Sequence, residues 1–235
     1  MTVGIEERRI VLRFKDVVLM AYHKDSTEIL EVNMKLLGGE LALFLLDDLQ
    51  RASLFADACA GLVHPTRGTA YFLGKDWSQL SPDTANALRG RIGRVLTTGN
   101  WLNQLSLLEN ILLPQLHHTL SSIDDLRSEA VQLAKKLGLP GVPIGAPRDF
   151  ITTDLQRAAY IRAFLGHPSL VLLENVTAGA CSEMISALIN VIRNARDHGA
   201  AVIWFTPEEG IWRDQSIPTT YRYRLVGHKL MELTK

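Results

Sequence analysis

GELALFLLDDLQRASLFADACAGL, residues 39–62, runs from an apolar stretch (41–46) directly into a helix carrying Ala52, Phe55, Ala56 and Leu62. A buried strand entering a helix is the setting in which a phosphate-binding loop is built. Such a loop reads G-x-x-x-x-G-K-[ST]. Its glycines let backbone amides curl round phosphates, its lysine reaches the outer phosphates, and its hydroxyl holds Mg2+. Over the same frame this chain has Leu46, Asp47, Asp48, Leu49, Gln50, Arg51, Ala52 and Ser53. Both glycines are replaced, the lysine position is Ala52, and only the hydroxyl of Ser53 remains. Asp47 and Asp48 stand where amides would cradle polyphosphate. A carboxylate about 5 Å from a tetra-anion opposes its binding by about 3 kcal/mol even at the dielectric of bulk water. Either aspartate also serves simply as a helix cap. Arg51 offers a guanidinium in place of the lysine, without the glycine cradle.

The 235 residues, 47% apolar and 21% charged, are those of one globular domain spanning 1–235 with a full core. A net charge of zero implies no general attraction to nucleic acid or anionic lipid. The apolar run 41–46 is far too short to span a bilayer. The stretch holding Glu6, Glu7, Arg8 and Arg9 has no apolar core, so a secretory signal is not expected. Cys59 and Cys181 lack CxxC or Cys/His spacing, which reads as two small thiols and no metal site.

Strands are expected at 9–20, 29–36, 70–73, 92–96, 170–173 and 201–205, with a polar loop at 22–28 and a closing hairpin over 221–233. Ser81-Pro82 starts a helix with a hydroxyl cap and proline at its first position. Ser106-Leu107-Leu108-Glu109 is a capping box. Further helices are expected at 122–137, 153–165 and 183–197. Buried strands alternating with helices give an α/β sheet with a helical insert near 97–165. Trp101 and Leu102, large apolar residues in a polar loop, read either as interface anchors or as packing inside that insert. His117 and His118 read as a solvated helix end.

In this order the pieces resemble the ATP-binding cassette of ABC transporters. LQRAAYIRAFLGHPSLVLLENVTAGA, residues 155–180, is similar to that family's QRVAIARAL stretch followed by its LLLLDEPTSGLD strand. GNWLNQLSLLENILLP, residues 99–114, is similar to the segment after the family's glutamine loop, where the cassette meets the transmembrane subunit. GELALF and CAGLVHPTRGTAYFLGKDW match the flanks of its phosphate loop. The resemblance implies a P-loop NTPase-like sheet with flanking helices and an N-terminal antiparallel β part. It implies a RecA-like core about 1–96 and 166–235, and a helical subdomain about 97–165.

The departures fall on the functional positions. In place of the signature LSGGQ stands FITTD, 150–154, which puts Thr152 and Thr153 at the glycines. The glutamine that senses metal is Thr97, the strand-end aspartate is Glu174, the general base is Asn175, and the switch histidine is Pro207. Tyr22 is the candidate aromatic for adenine, and Glu174 beside Ser53 keeps a possible Mg2+ seat. Asn175 cannot take a proton from water at neutral pH, and base catalysis is worth orders of magnitude in rate. The expectation is a pseudo-ATPase subunit without nucleotide, metal or catalytic residues. It would sit at the cytoplasmic face of a membrane, dimerise with another cassette, and dock a permease through Trp101, Leu102, Leu105 and Leu108. The segment 99–114 looks most like cassettes of lipid or lipoprotein transport. Two alternatives stand beside this reading: a weakly active ATPase with ATP-Mg on Arg51, Ser53 and Glu174, and a soluble regulatory or scaffold module.

Overall fold

The computed structural model describes residues 9–22 and 27–233, leaving aside the side chains at 21, 22, 27 and 28. Glu6, Glu7 and Arg8, and most of the expected loop at 22–28, lie outside the described residues. The chain runs through strands β1 (Ile10–Tyr22), β2 (Thr27–Leu37) and β3 (Leu41–Leu45) into helix α1 (Leu49–Cys59). Next come β4 (Arg67–Phe72), β5 (Lys75–Asp76), α2 (Pro82–Arg89) and β6 (Ile92–Val95). Helices α3 (Leu107–His118), α4 (Ile123–Lys136) and α5 (Thr152–Phe164) separate β6 from β7 (Leu170–Glu174). The chain closes with α6 (Ser182–Asp197), β8 (Ala201–Thr206), α7 (Glu209–Arg213), β9 (Tyr221–Val226) and β10 (Lys229–Leu233).

All the strands among the described residues join one sheet in the order β5-β4-β1-β2-β10-β9-β3-β8-β7-β6. The β1, β2, β4 and β5 end is antiparallel, while β3, β8, β7 and β6 run parallel. The central parallel strands β3, β8 and β7 are almost wholly apolar because both of their faces are covered. On one face Leu41, Leu43, Val171, Leu173, Val202 and Trp204 pack with α3 to α6. On the other, Ala42, Phe44, Leu170, Leu172, Ile203 and Phe205 pack with α1. Strand period two sorts these residues without exception. Phe44 sits inside an aromatic group, 5.2 Å from Phe55, 5.3 Å from Phe205 and 4.8 Å from Tyr223.

Local signals set the element ends. Ser81 accepts from the Thr84 amide at 3.3 Å, and Ser106 and Glu109 form both halves of the capping box. At Gly93 an added Cβ would lie 1.6 Å from the Ala163 carbonyl oxygen, so glycine there lets β6 approach α5. Three expectations change. Leu62 is not on the helix, which ends at Cys59, and its side chain is exposed. Helix α7 follows Pro207 in a stretch too short to show periodicity. His118 is not a freely solvated end: it is half-buried, and Gly90 packs against its Cβ.

Candidate functional site

The parallel strands deliver their C-terminal ends to the N-terminus of α1, the crevice where open α/β sheets hold ligands. Its first wall is the segment after β3. Only residues 46–48 separate β3 from α1, so the frame of a phosphate loop (46–53) is already helical from Leu49 onward. Asp48 is the N-cap, and its Oδ1 accepts from the Gln50 amide at 2.7 Å. Of the two aspartates it is therefore Asp48 that caps, while Asp47 is exposed. The Ala52 amide is spent on the Asp48 carbonyl at 3.3 Å. Arg51 Nη1 reaches the Gly227 carbonyl, in the turn between β9 and β10, at 3.4 Å. Two amides of this frame, those of Gln50 and Ala52, are thus committed to Asp48.

The second wall follows from strand and helix periodicity. On β7, Glu174 shares the α1 side of the sheet with Leu170 and Leu172. On β6, Arg94 pairs in register with Leu172 and falls on that same side. Ser53 and Asp57, four apart on α1, face both strands. The four side chains meet. Ser53 Oγ donates to Glu174 Oε2 at 2.6 Å, Arg94 Nε donates to Glu174 Oε1 at 2.5 Å, and Arg94 Nη1 donates to Asp57 Oδ1 at 2.5 Å. Exposure falls inward, from 34% at Asp57 through 17% at Arg94 to 1% at Glu174.

A carboxylate as enclosed as Glu174 is tolerated only when paired. Arg94 supplies the countercharge, worth about 4 kcal/mol gross at ~4 Å and an effective dielectric of 20, before desolvation is charged against it. Burial works against the Arg94 charge. Hydrogen bonds and charge from Glu174, then from Asp57, outweigh it and hold the guanidinium above its ordinary pKa. A divalent cation approaching Glu174 meets a fixed positive charge, with gross repulsion of about 8 kcal/mol at the same distance. The side chains present therefore do not fit the Mg2+ seat expected at Ser53 and Glu174. Among the described residues no group of three or more His, Cys, Asp or Glu is placed to hold a metal.

Sequence reading missed Arg94. The signal was available: an arginine inside a strand between Gly93 and Val95 calls for a carboxylate on a neighbouring element.

The other expected positions line the rest of the crevice. Thr97 is exposed beyond β6, and with Ser53, Asp57 and Glu174 it borders an open cleft of about 600 Å3. Asn175 leaves β7 in the left-handed region at φ 49°, a conformation asparagine tolerates, and its amide donates to the Phe205 carbonyl at 3.0 Å. Thr177 Oγ1 donates to Glu208 Oε1 at 2.8 Å, tying the exit of β7 to the segment behind Pro207. Thr152 opens α5 with its side chain exposed, Thr153 is half-buried, and the preceding Ile151 gives no side-chain cap. A cavity of about 280 Å3 joins Thr97, Trp101, Thr152, Gln156 and Asn175. The side chain of Tyr22 lies outside the described residues.

Among the expected docking residues, Trp101 is half-buried and packs on the core. Its ring carries the Arg162 guanidinium 4.4 Å from the centroid, and Arg162 Nη2 donates to the Gly99 carbonyl at 2.6 Å. Burial pushes the Arg162 pKa down to about 10. Leu105 and Leu108 are half-buried, and Leu102 is 47% exposed. Leu102 and Leu113 rim a groove of about 290 Å3 between α3 and β6, with Arg89, His118 and Arg162 also in its walls. No helix among the described residues is long and apolar enough to cross a membrane.

No family model matches the chain. It is 26% identical over 151 residues to the macrolide export ATP-binding/permease protein MacB of Chlorobium luteolum, covering 64% of this chain and 22% of that protein. It is 24% identical over 143 residues to the octopine permease ATP-binding protein P of Rhizobium meliloti, covering 61% of this chain and 55% of that one. An uncharacterized ABC transporter ATP-binding protein of Methanocaldococcus jannaschii matches at 24% over 181 residues, 76% of this chain and 80% of that protein. The chain thus spans about a fifth of the length of the MacB relative and about half that of the octopine protein. Among solved structures, a bacterial ABC transporter cassette in dimeric form superposes with a TM-score of 0.81 at 20% identity, covering 95% of this chain and 99% of that one. The ADP conformation of a second ABC transporter cassette superposes with a TM-score of 0.72 at 15% identity, covering 94% of this chain and 89% of that one. The expected fold, an α/β ABC-cassette sheet with flanking helices, is the one observed. By sequence the chain is similar to ATP-binding proteins of ABC transporters, and its fold is that of an ABC-transporter cassette.

Proposed function

We propose that this chain is a cassette that neither binds nor hydrolyses ATP and serves as a docking platform for a transmembrane permease. The observation that carries the reading is the commitment of Glu174 and Asp57 to Arg94 and of Ser53 to Glu174 along the crevice wall, behind a loop frame wound into α1. Asn175 in place of a general base supports it further. The rewired ATPase on Arg51 loses support because Arg51 reaches the Gly227 carbonyl in the turn between β9 and β10. The relatives' names join ATP-binding to permease function, which favours a membrane partner. The dimeric cassette of the same fold favours a pair of cassettes. The names print macrolides and octopine, so the likeness of 99–114 to lipid-transport cassettes gains no support and cargo is left out of the proposal.

The docking surface is the groove rimmed by Leu102 and Leu113, with its basic walls, rather than Trp101, which is committed to Arg162 and the core. Leu102→Glu and Leu113→Glu change exposed side chains, so both variants should fold and melt like the parent. They are expected to lose co-sedimentation with membranes from the source cell. Membrane association unchanged in both variants refutes the docking site. A chain that stays in the supernatant from the outset favours the scaffold reading.

A further inference from the structure

The sheet face that carries α3 to α6 runs on past the last of its helices. It passes in register from Leu43 and Leu45 on β3 to Arg222 and Arg224 on β9. Arg222 is still held by α7 and its C-cap, donating to the Trp212 and Asp214 carbonyls at 2.8 and 2.7 Å. Beyond it the same face continues over Leu233, Met231 and Lys229 on β10, then Glu31 and Lys35 on β2, Arg13 on β1 and Tyr71 on β4. The opposite face of these strands is buried with α1.

An antiparallel face left to water ordinarily carries a mixture of polar residues. This one carries the exposed cations Arg13, Lys15, Lys35, Arg67, Arg224 and Lys229 against Asp16, Glu31 and Asp76. Of these cations, Lys229 alone forms an ion pair among the described residues, with Glu31 at 3.9 Å. The other two carboxylates accept elsewhere, Asp16 from the Asn33 side chain and Asp76 from Ser78. Arg13 and Lys35 stand directly opposite each other on neighbouring strands, and like charges so placed destabilise a sheet. Beside them Val226, Met231 and Leu233 are exposed, and Met231 faces Arg224 across the hairpin. Unbalanced charge beside exposed apolar area marks an interaction surface.

We infer that this face docks an acidic amphipathic helix of a partner protein. Its carboxylates lie over Arg13, Lys35 and Arg224, and its apolar side lies over Val226, Met231 and Leu233. Helices already cover this face over β3, β8 and β7, so a further helix extends the layer. Two copies of so basic a face repel each other. A nucleic-acid backbone offers nothing to Met231 and Leu233, and a layer of anionic headgroups presses on Asp16, Glu31 and Asp76. A single helix sets its carboxylates only where the cations stand. The surface is separate from the groove at Leu102 and Leu113, which lies beside β6 at the other end of the sheet.

The test titrates a designed fluorescent helix, with glutamates along one side and leucines along the other, and reads anisotropy. The chain is used intact, as Lys35→Glu and as Met231→Ser/Leu233→Ser, all at exposed positions. A scrambled peptide of equal composition, phosphatidylglycerol vesicles and an oligothymidylate are compared. The intact chain should bind the amphipathic peptide about tenfold more tightly than the scrambled one, and the double serine variant should lose that advantage. Lys35→Glu should weaken binding about tenfold. Because it sets a carboxylate opposite Arg13, it should also melt about 1–4 °C higher without peptide, which separates lost binding from lost folding. Equal binding of the two peptides, unchanged affinity in either variant, or a lower Tm for Lys35→Glu refutes the inference. Vesicles or oligothymidylate bound more tightly than the peptide, and released by Lys35→Glu, also refute the protein partner and assign the face to lipid or nucleic acid. None of these readouts involves nucleotide or the groove at Leu102, so their failure leaves the proposed function standing.

Discussion

If Glu174 is the keystone of the crevice and not a metal ligand, replacing it with glutamine should cost stability in the absence of any nucleotide or metal. The glutamine keeps the shape and leaves Arg94, only 17% exposed, with the half-open Asp57 as its countercharge. The lost pair was worth about 4 kcal/mol gross at an effective dielectric of 20, and breaking buried pairs costs roughly 3–5 kcal/mol. Because the amide oxygen still accepts from Arg94 and Asp57 remains, the lower end applies, about 3 kcal/mol. For a chain of this size that is a fall in Tm of about 6–12 °C. Urea unfolding with a common m-value gives the free-energy difference, and calorimetry gives the shift. A Glu174→Gln variant within about 0.5 kcal/mol of the parent, the range of ordinary surface changes, would refute the reasoning. A double-mutant cycle with Arg94→Met adds a second criterion, since side chains in one ion-pair network are non-additive and independent ones are not.

Other consequences follow from the packing. Phe44→Ala empties the centre of the aromatic group and should cost about 3–5 kcal/mol in urea unfolding. Ser106→Ala removes the acceptor that caps α3 and should cost about 1 kcal/mol by the same measurement. Burial pushes the Cys59 thiol far above its ordinary pKa, and Cys181 is exposed. A thiol reagent should therefore titrate one cysteine in the native chain and two after unfolding. The His118 pKa is held below its ordinary value by burial, then by His117 and Arg89, so the unfolded chain takes up that proton more readily. Stability from this group is complete above pH ~6.5 and declines as the pH falls through it, and His118→Gln should flatten that part of the pH profile.

The elements were legible because their signals are local. Ser81-Pro82 and the box of Ser106 with Glu109 mark helix starts by short-range hydrogen bonds, and apolar runs such as 170–173 mark strands covered on both faces. The lost phosphate loop was equally plain at Leu46 and Ala52, since missing glycines and lysine are visible without a fold. What filled the gap was not, because Arg94 and Glu174 lie 80 residues apart and meet only through the pairing of β6 with β7. Trp101 was ambiguous for a similar reason: its partner Arg162 arrives from α5. Short α7 and the early start of α1 depend on where Pro207 and Asp48 leave the chain, which spacing alone does not reveal.

The most direct test of the central claim is the melting temperature of the purified chain against ATP-Mg from micromolar to several millimolar. Binding to the native state at a hundred times Kd would add about 2.7 kcal/mol, a shift of roughly 5–11 °C for a chain of this size. With Glu174 and Asp57 paired to Arg94 and the loop frame wound into α1, the predicted result is no saturable shift at any concentration. A saturable rise that disappears in Ser53→Ala would contradict the account.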